Sequence, residues 1–318
     1  MKNSTVQGHP RFGNMNVRNL NLANKRLNDA DLKDLAAALN GNSTIETLNL
    51  TGNRISDAGA KDLAEALKVN RTLRTLILLD NIVSDAGAKD LAEAFEVNST
   101  LITINLLGNR ISDGGAKDLA AALKKNRTIE TLVLKENKIS DLGAKDLAEA
   151  LKVNSSLTTL DLENNEISDV GVKELAEALK VNRTLKKLNL SSIRVSDAGV
   201  KELAEALKVN SSLTTLELNL NVIGNVGVQA LAQALRVNRM LKVLNLAYAE
   251  IDDVDVQAFI DALEENHIVT EINVSTSADL LAMPKRVELS PNRKKLLDLL
   301  WRNDHEIDVS VAPSSYRA

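Results

Sequence analysis

Residues 45–72 read IETLNLTGNRISDAGAKDLAEALKVNRT, and the chain repeats this sentence at a period of 28 residues. The skeleton of the copy is Ile45, Leu48, Leu50, Asn53 and Ile55, spaced LxxLxLxxNxI. The next copies carry Leu73, Leu76, Leu78, Asn81 and Val83, then Leu101, Ile104, Leu106, Asn109 and Ile111. The series continues through Ile129, Leu157, Leu185, Leu213 and Leu241, with weaker first and last copies at Val17 and Val269. Ten strand segments are therefore expected. A fixed period means that each unit cannot bury its apolar face alone and must stack on its neighbours.

The second half of each copy has helical period. Ala60, Leu63, Ala64 and Leu67 form an i, i+3, i+4, i+7 stripe, with Lys61, Asp62, Glu65 and Lys68 on the other side. Ser56 and its counterparts stand where a helix N-cap is needed, and Asp57 and its counterparts suit the positive helix end. Gly59 is expected to allow a close backbone approach. Asn residues from Asn42 to Asn266 follow the helices, and the left-handed C-cap conformation is the expected reason for them.

One strand and one antiparallel helix per unit make all the strands parallel neighbours. Strands stack ~4.8 Å apart and helices ~8–10 Å apart, so each unit is a wedge of about 20–25°. The expected fold is α/β: a curved solenoid, a horseshoe with a concave parallel sheet and convex helices. Residues 1–16 are read as an N-terminal extension, 17–279 as the repeat domain of ten strand units, and 280–318 as a helical cap and tail. In the last segment Ser290–Pro291 suits a helix start, and Leu296, Leu297, Leu300 and Trp301 can form its apolar face. The tail from residue 303 onward is expected to be mobile.

Composition narrows the chemistry. The 318 residues include no Cys, which removes disulfides, thiolate zinc sites and thiol nucleophiles. His9, His267 and His305 occupy unrelated settings, so neither a multi-His metal site nor a nucleophile–His pair has spacing support. Net charge is −4 and no basic stripe accumulates, which argues against nucleic acid. The apolar runs are far shorter than the ~20 residues of a membrane span, and the first residues lack a signal-peptide core. The expected setting is a reducing cytoplasm, with no cofactor, no metal, no membrane and a monomeric chain.

Asn53, Asn81, Asn109, Asn137, Asn165 and Asn221 stand where the chain leaves the sheet, and a carboxamide there can bridge adjacent turns. Lys25, Ile193, Ala249 and Ser277 depart from this ladder, so irregular turns are expected near 191–194 and 247–250. These residues carry a resemblance. The motif NRISDAGAKDLAEALKVNRTL at Asn53–Leu73 resembles the ribonuclease-inhibitor-type leucine-rich repeats, in particular those of NOD-like receptors. The resemblance covers about residues 17–278 and implies a scaffold that serves many protein partners. The nucleotide-binding domain of NOD-like receptors has no counterpart here, and no GxxxxGK[ST] occurs.

Alternation sets which side chains face a partner: Leu48 and Leu50 point inward, Thr47, Asn49 and Thr51 outward. On that outward face Ile77, Leu79, Leu107 and Val133 replace polar residues, with Lys135, Asp161, Glu163, Lys187, Glu217 and the ring of Tyr248 around them. An apolar patch rimmed by charge suits protein binding; drift among residues of high strand propensity is the plain alternative. The N-x-[ST] triplets from Asn42 to Asn210 are read as duplicated capping rather than glycosylation, and the Asp57 series as caps rather than a cation ladder. Lys285, Arg286, Arg293, Lys294 and Lys295 make the cap basic, which suits a solvated helix better than a membrane contact. The expected function is a non-enzymatic protein-interaction scaffold in sensing, signalling regulation or as an effector. The alternatives are a GTPase activator similar to the activator of the Ran GTPase, whose acidic tail is missing, and an actin-linked spacer.

Overall fold

The computed structural model describes residues 12, 15–249, 251–274 and 291–304. The chain divides into two compact units, residues 1–166 and 167–318. In the first, strands β1 (Asn19–Asn21), β2 (Thr47–Asn49), β3 (Thr75–Ile77), β4 (Thr103–Asn105), β5 (Thr131–Val133) and β6 (Thr159–Asp161) alternate with helices α1 (Asp29–Asn40), α2 (Asp57–Val69), α3 (Asp85–Val97), α4 (Asp113–Lys125) and α5 (Asp141–Leu151). Each strand pairs in parallel with the next, and the register keeps Thr47, Thr75, Thr103, Thr131 and Thr159 side by side. The second unit holds α6 (Asp169–Val181), β7 (Lys187–Asn189), α7 (Asp197–Val209), β8 (Thr215–Glu217), α8 (Asn225–Val237), β9 (Val243–Asn245), α9 (Asp253–Glu265), β10 (Glu271–Asn273) and α10 (Pro291–Asp304). Its strands are also parallel, in chain order. The repeating strand–helix α/β architecture expected from the sequence is the observed one.

Core packing follows the period. Leu48, Leu50 and Ile55 from the strand side meet Ala60, Leu63, Ala64 and Leu67 from the helix, all essentially buried. Alternating Leu and Ala lets neighbouring layers interdigitate, and each buried Leu contributes about 1.5–3 kcal/mol.

Three polar ladders join consecutive repeats. In the first, Asn53 Nδ2 donates to Leu22 O at 3.0 Å and Leu50 O at 2.8 Å, while its Oδ1 accepts from Leu27 N at 2.9 Å. One carboxamide thus satisfies backbone groups of two turns that burial removes from water. Asn81, Asn109, Asn137 and Asn165 repeat the pattern, and Asn221 does so in the second unit.

The second ladder adds to the reading of Ser56, which caps α2 by accepting from Ala58 N at 3.4 Å, and corrects that of Asp57. Ser84 and Ser112 make no side-chain cap bond to their own helices. Their hydroxyls donate backward instead, Ser84 Oγ to Asp57 Oδ2 at 2.6 Å and Ser112 Oγ to Asp85 Oδ2 at 2.5 Å. Asp57 Oδ1 also accepts from Ser84 N at 2.7 Å and Gly87 N at 3.0 Å. The carboxylate of one repeat therefore caps the helix of the next. This explains the glycine: a Cβ on Gly87 would lie 2.7 Å from Asp57 Oδ1 and 2.8 Å from Val83 Cγ1.

The third ladder corrects the expected left-handed C-cap. Asn70 closes α2 at φ −66°, ψ 135°, an extended conformation. Its buried Nδ2 donates to Leu39 O at 2.9 Å and Asn42 O at 3.2 Å in the preceding repeat, and its Oδ1 accepts from Thr72 N and Leu73 N. Asn98, Asn126 and Asn154 do the same, as do Asn210 and Asn238. The N-x-[ST] triplets thus encode this buried link.

Where the first ladder breaks, the turn changes. Arg26 follows Lys25 and Arg194 follows Ile193, and both take the left-handed region at φ 56° and 64°. Val195 N keeps its bond to Asn221 Oδ1 at 3.1 Å, and Ile193 N now shares that oxygen at 3.1 Å. Around Ala249 the backbone closes two tight bonds, Ala249 N to Leu246 O and Ile251 N to Ala249 O. Irregularity at both expected places is observed.

Helix α10 packs on α9 through Leu296 and Leu300, which are buried, whereas Leu297 is turned out. Asn303, expected in a tail, is buried in the helix, and its Nδ2 donates to Asn266 O at 3.0 Å and Val269 O at 2.8 Å. It stands in for the next Asn of the third ladder. His267, expected as a plain loop residue, meets Arg302 Nη2 through Nδ1 at 3.1 Å. His9, His305, Ser277, Lys285, Arg286, Ser290 and the tail beyond 304 lie outside the described residues, as does the side chain of Arg293.

Candidate functional site

The strands are only three residues long, so each offers two outward side chains flanking one buried Leu or Ile. Burial alternates half-exposed, buried, half-exposed along β2 to β6. The first outward row is the half-buried Thr series. The second is Asn21, Asn49, Ile77, Asn105, Val133 and Asp161, each beside the next in the register. Two residues further along each chain come Leu79, Leu107, Lys135 and Glu163.

The polar members of the second row have a local duty. Thr51 N donates to Asn49 Oδ1, Leu107 N to Asn105 Oδ1 and Glu163 N to Asp161 Oδ1, each at 3.0 Å, and Ala23 N donates likewise to Asn21 Oδ1. A short side-chain carbonyl or carboxylate thus closes a turn on the backbone two residues on. Ile77 and Val133 carry no acceptor and cannot do this. They are the two positions of the first unit's row that give up a structural hydrogen bond for an apolar surface.

Seven of the ten expected face residues lie in the first unit and fall into a graded patch. Ile77 on β3, Leu79 after it, Leu107 after β4 and Val133 on β5 form the apolar part, all half-buried. Asn105 sits between Ile77 and Val133 in the register. On the next strands the surface becomes charged: Lys135 Nζ lies 2.8 Å from Glu163 Oε1 and 3.8 Å from Glu136 Oε1. The hydrogen bond that Lys135 donates to Glu163, more than the opposing desolvation, raises the Lys135 pKa and keeps the ammonium charged. Such a partly exposed pair contributes little to stability, at most ~1 kcal/mol. It does hold a fixed dipole beside an apolar patch.

The other three are in the second unit. Lys187 is exposed at the start of β7 and Glu217 is half-buried at the end of β8. Tyr248 is not on a strand: it occupies the turn position of Gly52 and Gly108, with φ 67° against 64° for both glycines. Its side chain is exposed.

The described residues contain no group of three or more His, Cys, Asp or Glu arranged to hold a metal ion. No described helix is long and apolar enough to cross a membrane.

A family model described as Leucine Rich repeat matches residues 41–64, 69–92, 97–120, 125–148, 153–176, 181–204, 209–232 and 237–259, together more than half of the chain. No curated protein matches the sequence. Among solved structures, the chain is similar to one titled Leiomodin-1 Actin-Binding Site 2, at 24% identity and a TM-score of 0.43, over 50% of this chain and 88% of that one. It is also similar to the tropomodulin C-terminal domain of Caenorhabditis elegans, at 17% identity and a TM-score of 0.37, over 43% of this chain and 78% of that one.

Proposed function

The chain belongs to the leucine-rich repeat family, and we propose that it is a protein-binding scaffold whose partner docks on the open face of the first unit's sheet. The observation that carries this reading is the exchange of a turn-closing Asn for Ile77 and Val133, in a row where Asn21, Asn49, Asn105 and Asp161 all make the bond. Ile and Val are strong strand formers, but each gives up the turn-closing bond and leaves carbon on the open face. With Leu79 and Leu107 they supply an apolar centre, and the Lys135–Glu163 pair supplies a polar rim that fixes orientation. On the second unit, taken by itself, Lys187, Glu217 and Tyr248 are proposed as binding positions of their own.

The role is non-enzymatic and cytoplasmic in this proposal, and the resemblance of the repeats to the ribonuclease-inhibitor type is carried as part of it. Affinity capture from the native cell tests it, comparing wild type with an Ile77→Glu, Val133→Lys double variant. Both side chains leave the core, so the circular dichroism spectrum should be unchanged while one partner is lost. A folded variant that keeps every partner overturns the proposal. Stimulated GTP hydrolysis by a small GTPase would favour the activator reading instead.

A further inference from the structure

A second surface lies where the chain enters β2 to β5. It is an open groove of about 400 Å³ whose lining includes Arg71, Arg74, Ile102, Arg127, Glu46 and Glu130. Its charge is unbalanced once partners are assigned. Glu46 is engaged by Arg18, whose Nη2 and Nε lie 2.7 and 3.1 Å from Oε1. Glu130 makes no side-chain bond or ion pair among the described residues, and neither does the exposed guanidinium of Arg74.

Arg71 and Arg127 are fixed by the C-termini of their own helices. Arg71 Nη1 donates to Asn70 O at 3.0 Å; Arg127 Nη1 donates to Asn126 O at 2.8 Å and Lys124 O at 2.9 Å. A guanidinium carries five N–H donors, so each retains donors for a ligand. The sequence shows why they stand apart: the residue after the ladder Asn alternates Ser43, Arg71, Ser99, Arg127 in this unit, a spacing of two repeats. Anchored in this way, the two cannot converge on one oxyanion. Two repeats separate them by roughly 10–15 Å, which is the reach of three to four residues of extended chain at ~3.3 Å each.

We propose that this groove binds an extended acidic polypeptide segment carrying two carboxylates three to four residues apart, one at Arg71 and one at Arg127. Arg74 adds a third cation beside the first, and Ile102 lies under the intervening residues. Arg is the side chain best suited to such a role, since its planar fork matches a carboxylate. The proposal does not rest on the sheet-face reading, because the groove and the patch are lined by different residues.

The test uses the full chain and a labelled peptide, Gly-Ser-Glu-Gly-Ser-Gly-Glu-Ser-Gly, read by fluorescence anisotropy at low salt. Replacing both Glu by Gln, or placing them side by side, should weaken binding about tenfold or more, as should Arg127→Gln or Arg74→Glu in the protein; tenfold is the loss of one charge-assisted hydrogen bond. The Ile77→Glu, Val133→Lys variant should bind the peptide as wild type does. Equal binding of the Glu and Gln peptides overturns the proposal. So does equal affinity for the side-by-side peptide, tighter binding of a short RNA oligonucleotide, or no effect of either Arg substitution in a folded protein.

Discussion

The carboxylate of Asp57 reaches forward one whole repeat to Ser84, accepting from its backbone N–H at 2.7 Å and its hydroxyl at 2.6 Å. A charged acceptor thus sits at the start of α3 while belonging to the start of α2. Repeat-to-repeat geometry depends on this bond as much as on the apolar core, because it fixes where each helix begins.

Asp57→Ala should therefore destabilise the protein more than loss of an ordinary surface carboxylate. It leaves Ser84 N and Gly87 N without their acceptor, and a cost of about 3 kcal/mol is expected. Urea denaturation followed by circular dichroism checks it, with Asp62→Ala on the same helix expected to change little.

The glycine beside that carboxylate should be intolerant. In Gly143→Ala the new Cβ would sit 2.7 Å from both Asp113 Oδ1 and Ile139 Cγ2, and 3.0 Å from Ala116 Cβ. A loss of about 1–3 kcal/mol is expected from overpacking. Gly41→Ala has nothing within 4 Å and should be neutral or slightly stabilising, a contrast that thermal melts of the two variants would display.

The broken ladder at Ile193 makes a prediction of opposite sign. Arg194 holds φ 64°, a conformation that costs a side-chain-bearing residue about 1–2 kcal/mol. Arg194→Gly should raise the urea midpoint, whereas Gly at the equivalent Arg54, whose φ is not positive, should lower it. Equal shifts of the same sign would contradict the assignment.

Acid should weaken the carboxylate ladder. At Asp85 desolvation is the largest influence and raises the pKa, but the hydrogen bonds from the Ser112 hydroxyl and backbone together outweigh it and the net shift is downward. A lowered folded-state pKa means stability that is present above the unfolded value of about 3.9 and lost as pH falls through the folded value. Stability should fall below about pH 4, and Ser112→Ala should shrink the Asp85 contribution. A pH series of urea midpoints for the two proteins reads it.

Much of the fold was legible because a 28-residue period leaves little freedom: Leu48 and Leu50 must face Leu63 and Leu67. The Asn53 ladder was legible for the same reason, as a buried turn demands a residue with both donor and acceptor. Asp57 and Asn70 were misread because each sits at a helix end, where a local cap is the usual explanation. Their partners lie one repeat away, and single-helix reasoning does not look that far; the invariant offset from Asp57 to Ser84 was the available signal. The patch of Ile77 and Val133 was visible as a departure from Asn, but the backbone bond given up there becomes visible only once Asn49 and Asn105 are seen closing their turns.

The most direct test of the scaffold proposal places a photo-crosslinking amino acid at Val133 and, separately, at Lys61 on the outer side of α2, in the protein expressed in its native cell. Irradiation should join one partner to the Val133 position and none to Lys61, and the adduct should disappear when Ile77→Glu is added. An adduct of the same partner at both positions, or one that survives Ile77→Glu, would contradict a partner seated on the open face of the sheet.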